Sequence, residues 1–354
     1  MTDPYQNIEA KTLRAVREKI GPIAYQRSRL IIGAWCVLDI LFFSLSLLGV
    51  ILTHQPLLKI FFSLLMGIAS SSLFVLAHDA AHGALFRKNW LAELIGTIFM
   101  LPALNVYRLW CFGHNRIHHG FTSLSSVDWI WRPLSIEEYQ SLSRIKKTMY
   151  RVERSLYGCG FHYLAKVWLP KMILFMPGKL AKREKIKLWI SKFWVFAYAL
   201  FMTIIAYHLD GLLGIFTLLV LPFIVFNYVI SLIVYLHHTH PEIPFFDAKT
   251  EWNHSIGALY CTTVIHSHWL IDCLTHNILT HTPHHVDIRI PFYRLKVAFK
   301  SIKMHYSNYL HEYGLNSKVL RHIFRSCKLY DYETHTWHTF KIKGIDSKIM
   351  SKKT

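Results

Sequence analysis

Residues 57–77 read LLKIFFSLLMGIASSSLFVLA and run directly into HDAAH at 78–82. The apolar part is about as long as the roughly 20 residues that cross a bilayer core of about 30 Å. His78 and His82 are four residues apart, so a continuing helix presents both rings on one face. This stretch therefore predicts a membrane-spanning helix that carries two imidazoles out of the membrane.

Three further apolar segments complete two hairpins. Residues 30–53 precede the first segment across a short break at 54–56. Residues 190–207 are separated from 212–236 by a turn at 208–211. Connections this short join antiparallel neighbouring helices. We therefore expect four transmembrane helices, at about 30–53, 57–77, 190–207 and 212–236.

Other segments are expected to lie beside the spans. Asp39 is unfavourable inside a span, so we expect it to have a structural partner. Residues 90–104 and 163–176 are apolar but short, which is typical of interfacial helices. The predicted fold class is all-α integral membrane, with two hairpins, interfacial helices and a cytoplasmic helical cap.

Charge orients this arrangement. The chain is 53% hydrophobic and 17% charged, yet its net charge is +19. Lys and Arg gather between the hairpins and in both terminal segments, so the positive-inside rule places these parts in the cytoplasm. We expect a cytoplasmic N-terminal segment at 1–29, a membrane domain at 30–305 and a basic cytoplasmic tail at 306–354. The membrane is a bacterial inner membrane, or the endoplasmic reticulum in a eukaryote.

The basic face has two candidate partners. Anionic membrane lipids are the more common explanation for such a face, and an acidic redox protein is the other. Nucleic acid is not expected, because the charge follows topology and not a reading helix.

Histidine is unusually frequent, with 23 residues that recur in short groups. The groups are His78 and His82; His114, His118 and His119; His237, His238 and His240; and His281, His284 and His285. Helical spacing places His114 and His118 on one face, with His119 beside them. Imidazole nitrogen is a good ligand for iron, zinc and copper. Groups that all emerge on one side of the membrane predict a histidine-ligated centre for two metals with open positions.

The type of metal follows from the residues that are missing. The sequence contains no HExxH, the zinc protease motif whose Glu is the general base. It has few acids near the groups, unlike soluble di-iron bundles with Glu-x-x-His. The six cysteines form no CxxC pair. A pair of irons held by histidine, able to activate O2, is the interpretation that remains.

The motifs resemble those of the integral-membrane fatty acid desaturase superfamily, and most closely the acyl-lipid Δ12 (omega-6) type. The resemblance covers roughly residues 30–305. In the first box Ala80-Ala81 replace the usual Cys-Gly, at positions that are not ligands. The matching features are HDAAH with Gly83 and Phe86, HNRIHH at 114–119, Asp128-Trp129 with Pro133, HTHP at 238–241 (HTHP begins at His238), TEW at 250–252, HNI at 276–278, HTPHH at 281–285 and IPFY at 290–293.

This resemblance implies roles for individual residues. Eight box histidines are implied as metal ligands: His78, His82, His114, His118, His119, His281, His284 and His285. His238 is the implied ninth ligand, and His237 and His240 have no settled role. Four residues are candidates for orienting the ligands: Asp79, Asp128, His276 and Asn277. Trp110, Trp129, Trp131 and Phe292 are candidates for the mouth of a substrate tunnel, although packing explains any one of them as well.

The resemblance also implies the chemistry. Two iron ions and O2 as co-substrate remove hydrogens from adjacent carbons of an acyl chain, giving a cis double bond and water. The substrate is an acyl-lipid or an acyl-thioester. No electron-carrier domain is visible in the chain, so a separate carrier of the ferredoxin or cytochrome b5 type is implied.

Two alternatives stay open at this point. A hydroxylase or related oxygenase, acting on an acyl chain, an alkane or a carotenoid, uses the same scaffold and inserts oxygen instead. A non-enzymatic metal transporter or sensor would also be rich in histidine, but it predicts polar ligands at the middle of the membrane.

Overall fold

Long apolar helices form the frame of the fold. The computed structural model describes residues 12–178 and 180–341. The α-helices are α1 (Leu13–Glu18), α2 (Arg29–Leu52), α3 (Pro56–Ala81), α4 (Asn89–Met100), α5 (Tyr107–Cys111), α6 (His119–Phe121), α7 (Ile136–Ser141), α8 (Arg144–Glu153), α9 (Cys159–His162), α10 (Lys182–Ile215), α11 (Leu221–His238), α12 (Trp269–Leu274), α13 (His281–Val286), α14 (Leu295–Tyr306) and α15 (Ser317–Ser326). Segments of π-helix are Phe112–His118, Tyr163–Ile173, Phe216–Val220 and Ile256–Tyr260. The 3-10 turns are Pro22–Tyr25, Phe292–Arg294 and Ser307–Tyr309, and the strands are β1 (Thr263–His266), β2 (His311–Gly314), β3 (Leu329–Asp331) and β4 (Thr336–His338).

Helices α2 and α3 form the first hairpin. The Ser28 side chain caps the start of α2 by accepting from the Ile31 N–H. Pro56, which needs no backbone donor at a helix start, begins α3. The most apolar stretch of α2 is only 17% buried, whereas that of α3 is 67% buried. Helix α3 therefore lies inside the bundle, and α2 presents an apolar outer face of the kind that lipid covers.

The second long helical segment reverses at its middle. Within the described residues, three helical stretches are long and apolar enough to cross a membrane: Arg29–Leu52, Pro56–Ala81 and Lys182–His238. The last of these leaves helical geometry at Asp210 and at Gly211, whose φ is 56°. A left-handed φ is readily adopted by glycine. A Cβ on Gly214 would meet the carbonyl oxygen of Ala206, so the chain folds back at the turn that the sequence predicts.

Both hairpin turns lie at one end of the bundle. Lys59, near the start of α3, forms an ion pair with Asp210. Ser63 Oγ donates to the carbonyl oxygen of Thr217 at 2.6 Å. Since α3 and α11 both run away from this end, their histidine-bearing ends lie together at the opposite end.

Smaller elements close the histidine end. Helix α4 and the π-helix Tyr163–Ile173 occupy the two segments predicted to be interfacial. Strands β1 and β2 pair in parallel, with Thr263 opposite His311, and β3 pairs antiparallel with β4. The described part of the segment after residue 305, expected from sequence to be a tail, is folded onto the rest, and Tyr330 in β3 is fully buried.

Candidate metal centre

Four separate segments bring histidines to one place. They are the end of α3, the π-helix Phe112–His118 with the start of α6, the end of α11, and α13. Nine histidines sort into two groups, in each of which the ligand atoms all lie within 4.8 Å of one another. The groups are His78, His82, His114, His119 and His284, and separately His118, His238, His281 and His285.

The π-helix decides which ring joins which group. Its hydrogen bonds run from residue i to i+5, and the His119 N–H donates to the His114 carbonyl. His114 and His119 consequently share one group, and His118 points into the other. His114 and His118 remain neighbours, with ring centroids 5.3 Å apart, but the π-helical turn places their ligand atoms in different groups.

The first group surrounds a common point. His114 Nε2 lies 3.1 Å from His78 Nε2 and 3.0 Å from His119 Nε2. His284 Nε2 lies 3.1 Å from His119 Nε2. The His82 ring is 4.7 Å from those of His78 and His119, centroid to centroid.

The second group has the same form with four rings. His238 Nε2 lies 3.0 Å from His118 Nε2 and 3.2 Å from His281 Nε2. His285 Nε2 lies 2.9 Å from His281 Nε2. All four side chains are buried.

These contacts fit metal ions better than hydrogen bonds. His118 Nδ1 lies 2.9 Å from an Asp128 carboxylate oxygen, and His238 Nδ1 lies 3.0 Å from the Cys261 carbonyl oxygen. Such acceptors hold the ring proton on Nδ1 and leave lone pairs on Nε2. Lone pairs that face one another repel unless a cation lies between them. Two neighbouring nitrogens that each lie about 2.1 Å from the same metal, at right angles, are about 3 Å apart. The Nε2–Nε2 distances in both groups have this value.

Burial keeps the rings in the form that binds metal. Burial, and next the nearby imidazoles, lower the pKa of His281 and His285 well below the ordinary value. Burial has the same effect on the pKa of His284. Neutral imidazoles result, and metal binding requires neutral imidazole.

Comparison with known proteins supplies the family. The family model described as fatty acid desaturase matches residues 55–316, a range that contains all nine histidines. The chain belongs to the fatty acid desaturase family. This membership makes it an oxidoreductase with a lipid substrate.

Individual relatives agree with this family. The desaturase chain is 30% identical over 276 residues to the sn-1 oleoyl-lipid 12-desaturase of Picosynechococcus sp., covering 78% of each protein. It is 30% identical over 279 residues to the protein of the same name from Synechocystis sp., covering 77% of this chain and 76% of that one. It is 30% identical over 275 residues to the chloroplastic omega-6 fatty acid desaturase of Glycine max, covering 75% of this chain and 61% of that one.

Two carboxylates of the desaturase contact rings of the centre. Asp79 Oδ1 lies 3.0 Å from His78 Nδ1, and its other oxygen accepts from the Phe292 N–H at 2.8 Å. Asp128 contacts His118 and also accepts from the Ser123 N–H at 3.2 Å. Each carboxylate therefore fixes the direction of one ring.

His276 and Asn277 have a different setting. His276 Nε2 lies 2.7 Å from Asp39 Oδ2, and both side chains are buried. The two residues have φ values of 49° and 56°, which few residues other than glycine adopt. Asn277 accepts from the Thr280 N–H through its carbonyl oxygen. The pair thus anchors the turn that precedes α13.

Some contacts were not foreseen from sequence. Thr122 Oγ1 lies 3.1 Å from His285 Nδ1. One indication of this role was present in the sequence: Thr122 is four residues after His118, and residues at that spacing lie on the same face of a helix. The His237 ring stacks on His281 with centroids 3.6 Å apart, so His237 supports a ring of the second group. His240 lies outside both groups.

An apolar cavity of about 70 Å³ adjoins the centre. Five histidines from both groups line it: His78, His114, His118, His238 and His281. Trp110 and Trp129 also line the cavity. Trp131 instead stacks on His162 at 3.7 Å, and Phe292 packs against His276 at 4.9 Å. Of the four aromatic candidates for the tunnel mouth, the cavity lining includes Trp110 and Trp129.

Proposed function

We propose that this protein is an O2-dependent acyl-lipid desaturase of the Δ12 (omega-6) type, which introduces a cis double bond into an acyl chain. The observation that carries the proposal is the apolar cavity whose lining includes histidines of both groups. A methylene chain in that cavity has no polar group to recognise, so its position is set by shape and by burial. The names of the relatives support the omega-6 assignment.

Two iron ions are the cofactor of this proposal, one in each histidine group. The nine ligands are His78, His82, His114, His119 and His284 for one ion, and His118, His238, His281 and His285 for the other. When bound, the irons would activate O2, which takes two hydrogens from neighbouring methylenes and two electrons with two protons from a separate carrier and the solvent, and leaves as two waters. Imidazole ligands without carboxylate suit iron as well as other transition metals.

The protein's own side chains do the positioning. Asp79 and Asp128 hold the rings of His78 and His118 through Nδ1, so that Nε2 of each ring would be available to an ion. Phe74, Val75 and Ile230 belong to the apolar cavity wall that keeps the acyl chain beside both groups and leaves little room for water. Exclusion of water protects reactive chemistry from side reactions.

The proposal includes the topology predicted from sequence. Four spans follow if the reversal at Asp210 and Gly211 divides the long segment Lys182–His238. Lys and Arg outside the spans then place the histidine end and both termini in the cytoplasm.

The function is tested in a host membrane that contains only saturated and monounsaturated lipids. We expect expression of the protein to produce diunsaturated chains whose new bond is located by mass spectrometry. Iron-loaded protein that leaves the lipids unchanged would contradict the proposal. A hydroxylated chain in the same assay would support the oxygenase alternative instead.

Filling the cavity should reduce activity strongly. Val167 is buried and lines the cavity, so Val167→Trp displaces the acyl chain from the centre. Because misplacement by about 1 Å can lower a rate about 100-fold, product formation should fall by about that factor while iron stays bound. Val37→Trp, on the exposed face of α2, is the matched control and should keep its activity. Equal activity in both variants would show that the chain does not occupy this cavity.

Electron supply is assigned to a separate acidic carrier of the ferredoxin or cytochrome b5 type. An open basic surface, called here the arginine surface, is lined by Arg14, Arg17, Arg27, Arg87 and Arg289. Arg17 and Arg27 each donate, at 2.7 Å, to the carbonyl of a residue that directly follows a histidine of the centre. A carrier bound there would contact side chains that are hydrogen-bonded to the backbone directly after His82 and His285, one histidine from each group.

Charge reversal tests this assignment. The double variant Arg14→Glu and Arg87→Glu changes two exposed side chains of the arginine surface. With an acidic ferredoxin as donor at low ionic strength, we expect about a 10-fold rise in the KM for the carrier at unchanged kcat. The difference should shrink at high salt, because exposed charges are screened. Lys318→Glu with Arg321→Glu, the same charge change on exposed α15, is the control, and an equal effect there would refute the arginine surface as the docking site.

A further inference from the structure

A third cluster of metal-binding side chains lies apart from the two histidine groups. His240 and Glu242 follow the end of α11, and His311 begins β2. One ligand atom from each lies within 4.8 Å of the other two. Glu242 Oε2 is 3.3 Å from His311 Nδ1 and 3.8 Å from His240 Nδ1. Two imidazoles and a carboxylate form a common ligand set for zinc, with water completing the coordination.

Aromatic packing holds both rings of this cluster in place. His311 is buried, with its side chain only 5% exposed, and contacts the Tyr260 ring at 4.5 Å. The His240 ring stacks on Tyr313 at an interplanar angle of 14°. Rings that are fixed before binding lose little freedom when a cation binds.

The environment is suited to a cation at the protein surface. The Glu242 side chain is 69% exposed, which leaves the cluster open to water and to entering ions. The carboxylate supplies the negative charge that a divalent cation requires.

We propose that His240, Glu242 and His311 bind a divalent cation of the zinc class, distinct from the centre in the histidine groups. The bound ion ties β2 to the segment directly after His238. Thr263 of β1, the strand partner of His311, donates through Oγ1 to the Leu236 carbonyl at 2.9 Å. The ion thus completes a link between the end of α11 and the β1–β2 pair, and its role is structural. It does not depend on the proposed desaturation.

Zinc binding to the iron-loaded protein tests this site. Full-length protein is purified in detergent, equilibrated with buffered Zn²⁺, and measured for zinc and iron together by mass spectrometry. We expect one zinc per chain with no loss of iron, and zinc-edge X-ray absorption with two imidazoles in the shell. Glu242→Gln and His311→Gln should each weaken zinc binding by at least about 10-fold with iron content unchanged.

A neighbouring pair supplies the control. His266 Nε2 lies 3.1 Å from Glu312 on the same strand pair, but Lys303 also holds that carboxylate at 2.8 Å. His266→Gln should therefore leave zinc binding unchanged. Three results would overturn the proposal. Zinc could bind Glu242→Gln as tightly as the wild type, it could be lost to the same extent in His266→Gln, or it could replace iron one for one. The His311–Glu242 contact would then be a hydrogen bond alone. Glu242 is exposed, and retained iron shows that its variant is folded.

Discussion

His284→Ala is expected to abolish desaturation while the protein stays in the membrane. His284 Nε2 lies 3.1 Å from His119 Nε2, and its ring is 4.5 Å from that of His78. It is the only member of the first group that α13 contributes. Its loss opens the group on that side and leaves four rings. Loss even of groups that orient ligands lowers metal affinity or activity about 10- to 100-fold, and loss of a ligand should exceed this.

The measurement combines lipid analysis with iron content. We expect the diunsaturated product to fall at least about 100-fold and roughly one of two irons to be lost. His305→Ala, at an exposed position of α14, controls for the removal of a histidine as such and should retain both product and iron. An active His284→Ala protein with full iron would show that α13 does not hold metal through this ring.

The histidine groups could be predicted from sequence because their signal is local. His78 and His82 continue an apolar helix, and His281, His284 and His285 lie within five residues. The division of ligands between the two groups could not be predicted in the same way. It depends on the π-helix Phe112–His118, and apolar periodicity does not distinguish an i+5 turn from an i+4 turn over seven residues.

Contacts between residues that are far apart in the sequence could not be predicted either. An acidic residue inside a span predicts a partner, and Asp39 has one. Its partner, His276, is 237 residues away, and nothing in either local sequence identifies the match. Distant contacts also explain why the segment after residue 305 was expected to be a tail although its described part is folded onto the rest of the chain. Its basic composition is typical of a tail, whereas apolar residues within it, such as Phe324 and Tyr330, pack against distant parts of the chain.

The Asp39–His276 pair should be among the strongest single contributions to stability in this fold. Asp39 lies on the first long helix, and His276 lies five residues before His281 of the second histidine group. Both are buried at a contact of 2.7 Å. Removal of one partner leaves the other buried without its hydrogen bond, and breaking a buried pair in this way costs about 3–5 kcal/mol. Asp39→Ala and His276→Ala should therefore each lower the melting temperature in detergent and weaken iron retention.

A double-mutant cycle measures the interaction energy between Asp39 and His276 separately from the contribution of each side chain. The variant with both residues changed to Ala should be destabilised by clearly less than the sum of the two single changes, because the partners already lack each other. Glu18→Ala is the matched control, since Glu18 also pairs with a basic residue, Arg14, but both side chains are largely exposed, and exposed pairs contribute only about 0–1 kcal/mol. Additive effects at 39 and 276, or an equal loss in Glu18→Ala, would show that the contact does not anchor the turn. Because the turn leads directly into α13, a large coupling would also mean that the first long helix helps to position ligands that lie far from it in the sequence.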